Sequence, residues 1–247
     1  MTFWDHLDVL RGSIVRMLVA AAVGAVAAFA LGDRLFAAIL APTHSDYFLW
    51  RWMKAEPFSL PLVNTELTEQ FMAHMRVALV VGLFIASPYI IYLLFRFISP
   101  ALYEHERRYS QRITFGAYLM FILGAAMNYL LIFPLTVRFL GTYQVSTEVT
   151  NMLTLSSYID TLLMMSLLFG IMFEIPIVCW LLALAGLLRS QWMVRYRRHA
   201  IVAILIVAAV ITPTGDIFTL LIVSLPIWLL YEASILIVRR TRKQTQP

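Results

Sequence analysis

FMAHMRVALVVGLFIASPYIIYLLFRFISPALYEHERRYSQR, residues 71–112, holds the pattern from which the rest of the chain can be read. Residues 71–98 are almost wholly apolar, long enough as a helix to cross a hydrocarbon layer ~30 Å thick. They run directly into a short loop bearing Arg107, Arg108 and Arg112. Short loops rich in Lys and Arg stay in the cytoplasm, so this run ends on the inner side.

Working outward, every other dense basic cluster falls at the start or after an even number of apolar runs. Arg11 and Arg16 precede the first run, Arg189, Arg195, Arg197 and Arg198 follow the fourth, and Arg239, Arg240, Arg242 and Lys243 follow the sixth. Of the 19 basic residues only Arg34, Arg51, Lys54, Arg76 and Arg138 fall on the other side or in the spans near it, whereas the acids on the basic side are Asp5, Asp8, Glu104 and Glu106. The expectation is an all-α integral membrane protein of six transmembrane helices with both termini cytoplasmic. The expected spans are residues 14–31, 71–98, 113–135, 158–187, 200–211 and 217–238, forming a single membrane domain over 1–247.

Bulk composition agrees. The chain is 61% hydrophobic and 13% charged, about half the charged share of a soluble domain, with a mean hydropathy of +0.81. The net charge of +5 sets topology and favours anionic lipid headgroups rather than nucleic acid. A lone Cys179 inside an apolar run leaves no disulfide within the chain. Arg11 and Arg16 ahead of Met17–Leu31 superficially resemble a signal peptide, but an uncleaved first helix keeps the later basic loops on one side.

Between the first two spans lies a long outer segment, with Leu35–Leu40 reading as a short helix stopped by Pro42. Tyr47, Phe48, Trp50 and Trp52 form an aromatic cluster suited to the headgroup layer. Residues 200–211 would make only ~18 Å of helix, so either basic residues at its start snorkel or the bilayer thins beside it. Pro88, Pro134, Pro176 and Pro226 place a kink or break in four spans, which points to a curved, concave bundle.

No residues read as catalytic. His105-Glu106-Arg107-Arg108 lacks the second His of a zinc-protease motif, Tyr109 standing in its place. The five His residues all lie at or near span ends, which leaves no buried Ser–His pair, and no Gly-rich phosphate loop exists. No cofactor or metal is expected.

Carboxylates remain. Asp8 and Glu106 sit near the inner ends of the first two spans, where they could take a guanidinium by paired charge-assisted bonds. The alternative is pairing with their own neighbours, Arg11 for Asp8 and Arg107 or Arg108 for Glu106. Glu174 lies mid-span in Phe173-Glu174-Ile175-Pro176, a depth at which an ionisable residue marks either function or a local bond to a carbonyl freed by Pro176. Asn128 is expected to bond a neighbouring helix, and Glu232 to snorkel towards the inner end.

Five motifs, in order, resemble the TatC family, the core receptor subunit of the twin-arginine protein translocase. They are His6-Leu7-Asp8-Val9-Leu10-Arg11, the stretch Phe97-Ile98-Ser99-Pro100-Ala101-Leu102-Tyr103-Glu104-His105-Glu106-Arg107-Arg108, Phe133-Pro134-Leu135, Phe173-Glu174-Ile175-Pro176, and Thr212-Pro213-Thr214-Gly215-Asp216. The resemblance implies a non-enzymatic receptor in a bacterial inner membrane. Such a receptor binds signal peptides with two consecutive arginines and works with TatA- and TatB-type single-span partners, in an assembly holding several copies of the chain. The complex exports folded cargo using the protonmotive force.

By motif, Glu106 matches the family's signal-binding glutamate, Arg11 and Phe97 match positions needed for function, and Pro42 resembles the proline of the first outer loop. Thr212 belongs to the polar cluster implicated in partner contact, and Glu174 would line the groove that holds the hydrophobic part of the signal. Two departures stand out. Val9 occupies the position of the family's N-terminal glutamate, with Asp8 adjacent but about 100° round the helix, and Leu220 stands where a Gln is common.

A small-solute transporter is the competing class. It is favoured by Glu174 and disfavoured by the lack of an inverted repeat in the sequence.

Overall fold

The computed structural model describes residues 3–54, 60–98, 110–143, 146, 152–212 and 216–245. The described chain is helical apart from one two-residue strand pair. In order come α1 (Phe3–Ala30), α2 (Gly32–Leu40), α3 (Phe48–Trp52), β1 (Leu62–Val63), α4 (Glu69–Ile98), α5 (Ser110–Met127), α6 (Phe133–Thr142), β2 (Leu153–Thr154), α7 (Leu155–Met172), α8 (Ile175–Leu184), α9 (Ser190–Arg195), α10 (Arg197–Ile211) and α11 (Ile217–Thr245). A helix closes every backbone hydrogen bond within its own segment, which is what an apolar solvent demands.

Among the described residues, five stretches are long and apolar enough to cross a membrane: Leu7–Ala30, Glu69–Phe97, Ile113–Thr142, Leu155–Leu184 and Ile217–Thr241. The shortest has 24 residues, roughly 36 Å of helix. Helix α10 has 15 residues, roughly 22 Å, and falls short of a ~30 Å hydrocarbon layer.

Boundaries differ from the sequence reading in instructive ways. Helix α1 starts well before residue 14, because nothing in His6–Gly12 breaks a helix and polarity alone does not end one. The third span continues past Pro134 to Thr142. A proline there would leave a carbonyl without its donor, and a π-helical turn over Asn128–Ile132 absorbs the mismatch, with the Phe133 N–H donating to the Asn128 carbonyl. The fourth span is two helices, broken at Phe173–Glu174 with Pro176 buried in the first turn of α8, as the freed carbonyl requires. Pro88 and Pro226 lie inside continuous helices. The strand pair, parallel with Leu62 opposite Leu153 and Val63 opposite Thr154, is an addition to the all-α expectation.

The chain divides into two compact units, residues 18–86 with 126–167, and residues 1–17 with 87–125 and 168–247. In the first of these, α2 is fastened at its C-terminal end, where carbonyls lack helical partners. The Tyr129 hydroxyl donates to the Ala38 carbonyl at 2.6 Å, the Tyr158 hydroxyl to Ile39 at 2.8 Å, and the Thr43 hydroxyl to Leu40 at 2.7 Å.

The aromatic cluster between the first two spans is split. Tyr47 and Trp50 are buried whereas Phe48 and Trp52 are exposed. Trp50 donates its indole N–H to the Pro42 carbonyl at 3.2 Å, and Tyr47 donates its hydroxyl to Tyr129 O at 3.0 Å. Burial pushes the Tyr47 phenol up from its ordinary value. Only half of that cluster is therefore free to face headgroups.

Helices α1 and α4 approach closely through glycine. A Cβ on Gly24 would lie 2.5 Å from the Gly82 carbonyl oxygen, so the absence of side chains on both is what permits the contact.

In the other unit α8 packs along α11, and Met193 of α9 is buried with Ile235 and Val238 of α11. Helix α8 ends at Gly186, whose φ of +73° suits glycine. There the Leu187 N–H reaches Leu182 O at 2.9 Å and the Gly186 N–H reaches Ala183 O at 3.0 Å, the paired closure of a Schellman motif.

Candidate functional site

Five of the seven candidate residues, Asp8, Arg11, Phe97, Glu174 and Thr212, fall in the unit formed by residues 1–17, 87–125 and 168–247, and Pro42 falls in the other. Glu106, with most of its motif, lies outside the described residues.

Asp8 and Arg11 are both exposed on α1. Although three residues apart on one helix, they are not paired: the ion pairs among the described residues are Arg76–Asp160 and Arg197–Glu232. The neighbour-pairing alternative for Asp8 is thus not what this structure adopts. Val9, beside it, is 44% exposed, and the Val9 carbonyl accepts the Ser13 hydroxyl at 2.8 Å. Phe97, in the last turn of α4, is half-buried.

Glu174 stands at the break between α7 and α8, in the N-cap position of α8, yet its side chain caps nothing. Its carbonyl accepts the N–H groups of Ile177 at 3.0 Å and Val178 at 2.9 Å. Its Oε1 is buried without a hydrogen-bond partner. The local bond to a freed carbonyl, one of the two sequence readings, does not form. A polar oxygen kept in an apolar setting with nothing to bind is a cost of about 1–3 kcal/mol, and such costs are commonly retained where a site needs the group.

Thr212 is buried at the C-terminal cap of α10, its hydroxyl donating to the Ala208 carbonyl at 3.0 Å. Its proton is committed to its own helix, so only its oxygen lone pairs are open to a partner. Asp216 immediately precedes α11, with Oδ1 accepting the Thr219 N–H at 2.7 Å. Leu220 is partly buried one residue on. Pro42 is buried in a tight 3-10 turn over Ala41–Thr43, where its carbonyl orients Trp50.

Asn128 donates to the Ser166 hydroxyl of α7 at 2.9 Å, an interhelical bond as expected. Glu232 does not snorkel alone but accepts from Arg197 at 2.8 Å.

Two features escaped the sequence reading. Glu69 is buried at the start of α4 and accepts four donors; its only signal was an acid at the head of an apolar run. Residues 188–199 hold helix α9 and, with α11, line a basic cavity, for which the scattered Arg189, Arg195, Arg197 and Arg239 were the signal. Among the described residues no group of three or more His, Cys, Asp and Glu side chains could hold a metal ion.

Comparison with known proteins gives one answer. The family described as "Sec-independent protein translocase protein (TatC)" matches residues 5–226. The chain is 34% identical to the TatC protein of Koribacter versatilis (strain Ellin345), covering 100% of this chain and 90% of that one. It is 33% identical to that of Aquifex aeolicus (strain VF5), covering 100% and 98%. A crystal structure of a twin-arginine translocase receptor TatC superposes with a TM-score of 0.81 at 31% identity, over 96% of this chain and 99% of that one.

Proposed function

The chain belongs to the TatC family, the Sec-independent protein translocase proteins, and from that premise we propose how its residues receive a signal. It is a multi-pass membrane protein and a translocase subunit of the receptor type, not an enzyme. Glu106 and Asp8 form the acidic contact for the two arginines of a signal peptide, with Arg11 and Phe97 shaping its surroundings. Glu174 lines the groove for the apolar part of the signal. Thr212 contributes to partner contact and Pro42 to the fixed outer loop.

The observation that carries this reading is Asp8, an exposed carboxylate that leaves Arg11 unengaged three residues away. A carboxylate facing water with no ion-pair partner among the described residues can exchange hydration for a guanidinium at little cost. Asp8 shares its compact unit with Phe97, which leads into the loop of Glu106.

The finer topology belongs to the same proposal: six spans, both termini cytoplasmic, in a bacterial inner membrane. The short α10 crosses as the fifth span with Arg197, Arg198 and His199 snorkelling at one end. TatA- and TatB-type single-span proteins are the partners, several copies of this chain assemble in the complex, and the protonmotive force drives export.

The test is binding of a two-arginine signal peptide to the purified protein. Glu106→Gln, which removes the charge and keeps the shape, should weaken affinity by about tenfold or more, as loss of a charge-assisted bond of about 1.5–3 kcal/mol requires. Unchanged affinity refutes the role of Glu106.

A further inference from the structure

We propose that a basic cavity where α8 ends, α9 lies and α10 and α11 meet is a binding site for the phosphate of an anionic phospholipid headgroup. The cavity has a volume of about 960 Å³ and presents Arg189, Arg195, Arg197 and Arg239 around one acid, Glu232. This lies at the upper end of the ~300–1,000 Å³ typical of small-molecule sites. Arg197 is satisfied by Glu232 at 2.8 Å. Arg189, Arg195 and Arg239 have no ion pair among the described residues, and all three are exposed. In a chain only 13% charged, three guanidiniums without an acid partner among the described residues, one of them (Arg189) stacked over the Trp192 ring at 5.5 Å, repel each other around one concavity, and an anion relieves that repulsion.

The cavity is built on fixed elements. Helix α9 carries Arg195 and is held by burial of Met193 against Ile235 and Val238. The Tyr231 hydroxyl also donates to the Met193 carbonyl at 2.8 Å. Guanidinium geometry favours phosphate oxygens, which it meets with paired N–H groups.

The choice of a lipid over a free phosphate rests on the rest of the wall. Val194 and Leu236 line the same cavity and are 50% and 60% exposed, and Trp192 beside them is 50% exposed. A free ion would leave that apolar surface in water, whereas acyl chains cover it. Basic pockets at the ends of membrane helices suit such headgroups. The same charge repels a two-arginine signal, so this site is separate from the acidic contact proposed above.

The test uses the full-length protein in mild detergent, with retained lipid read by native mass spectrometry. Cardiolipin, phosphatidylglycerol, phosphatidylcholine and sodium phosphate are supplied in separate arms. The anionic lipids should be retained at least tenfold more tightly than phosphatidylcholine. The double substitution Arg195→Gln with Arg239→Gln should abolish that preference, and each single substitution should reduce it. Arg34→Gln with Arg51→Gln removes the same charge from the other unit and should leave the preference intact.

A thermal melt of each variant establishes that it is folded; should the double substitution fail to fold, the single ones decide. A preference that survives at positions 195 and 239, or one lost equally in both double variants, overturns the site. Phosphate bound through the same arginines while no lipid is retained overturns the lipid as occupant.

Discussion

The carboxylate of Glu69 accepts the backbone N–H of Ser156 at 2.7 Å, so a residue at the head of α4 caps the first turn of α7. Its other oxygen takes the Thr65 N–H at 2.6 Å, the Glu66 N–H at 3.3 Å and the Thr65 hydroxyl at 3.3 Å. The first N–H groups of a helix have no internal acceptor, and a negative charge there also meets the positive end of the helix dipole. The β1–β2 pairing of Leu62 with Leu153 closes the same two segments. One side chain therefore joins two segments that the sequence separates by 87 residues.

Glu69→Ala strips acceptors from three backbone N–H groups at once and should lower the thermal unfolding midpoint by several degrees. Glu69→Gln retains an acceptor oxygen and should fall between wild type and alanine. Circular dichroism melts in detergent give the order; a melt of Glu69→Ala equal to wild type contradicts the capping role.

Close approach of α1 and α4 makes a second prediction. A Cβ on Gly24 meets the Gly82 carbonyl at 2.5 Å, and one on Gly82 meets the backbone of Ala25. Backbone cannot move aside as a side chain can, so Gly82→Ala should cost about 1–3 kcal/mol of overpacking. Gly116 of α5 has nothing within 4 Å of its Cβ position, and Gly116→Ala should instead stabilise by about 0.5–1 kcal/mol through helix propensity. Opposite signs in a chemical-denaturation series are expected; equal signs would count against the glycine contact.

Val9 offers a gain-of-function test. It is 44% exposed, so a glutamate fits there without disturbing the core, and it occupies the position where the resemblance places a glutamate. Val9→Glu should raise affinity for a two-arginine peptide by up to about fivefold, the yield of an exposed ion pair of about 1 kcal/mol or less. Because exposed charges are screened, the gain should shrink as salt rises. A titration by fluorescence anisotropy at two ionic strengths settles it, and a gain independent of salt argues against a direct pair.

What the sequence made legible follows from the solvent it was selected for. Long apolar runs and one-sided arginines are demanded by lipid, so the helices of α1, α4, α5–α6, α7–α8 and α11 could be read from composition alone. Their ends could not, because helices run on through polar residues: α1 extends N-terminal of residue 14, and α6 passes Pro134 by converting one turn to π geometry. Away from the candidate site, a bond from Asn128 to a neighbouring helix was foreseeable, since a buried amide needs a partner, though not that Ser166 supplies it. The role of Glu69 was not, because its donors at Thr65 and Ser156 come together only when the two connecting segments fold back. The split of Tyr47 and Trp50 from Phe48 and Trp52 likewise depends on the Pro42 and Tyr129 carbonyls that the buried pair reaches.

The groove role proposed for Glu174 sets stability against function. Its Oε1 is buried with no partner and its side chain does not cap α8, so the helix break at Phe173–Glu174 rests on Pro176 and not on the carboxylate. Removing an unsatisfied polar atom in favour of an apolar group of similar shape is neutral or stabilising. Glu174→Leu should therefore leave stability unchanged or raise it by about 1 kcal/mol, while reducing export of a folded, signal-bearing reporter. Glu174→Gln keeps the shape and a hydrogen-bonding oxygen but loses the charge. If polarity in the groove is what export needs, Gln retains more activity than Leu; if ionisation is needed, the two fall together. The pair of readouts, melting midpoint and reporter export, must move in opposite directions or the melt must stay still. A Glu174→Leu protein that melts lower yet exports normally assigns the residue to structure and removes it from the groove.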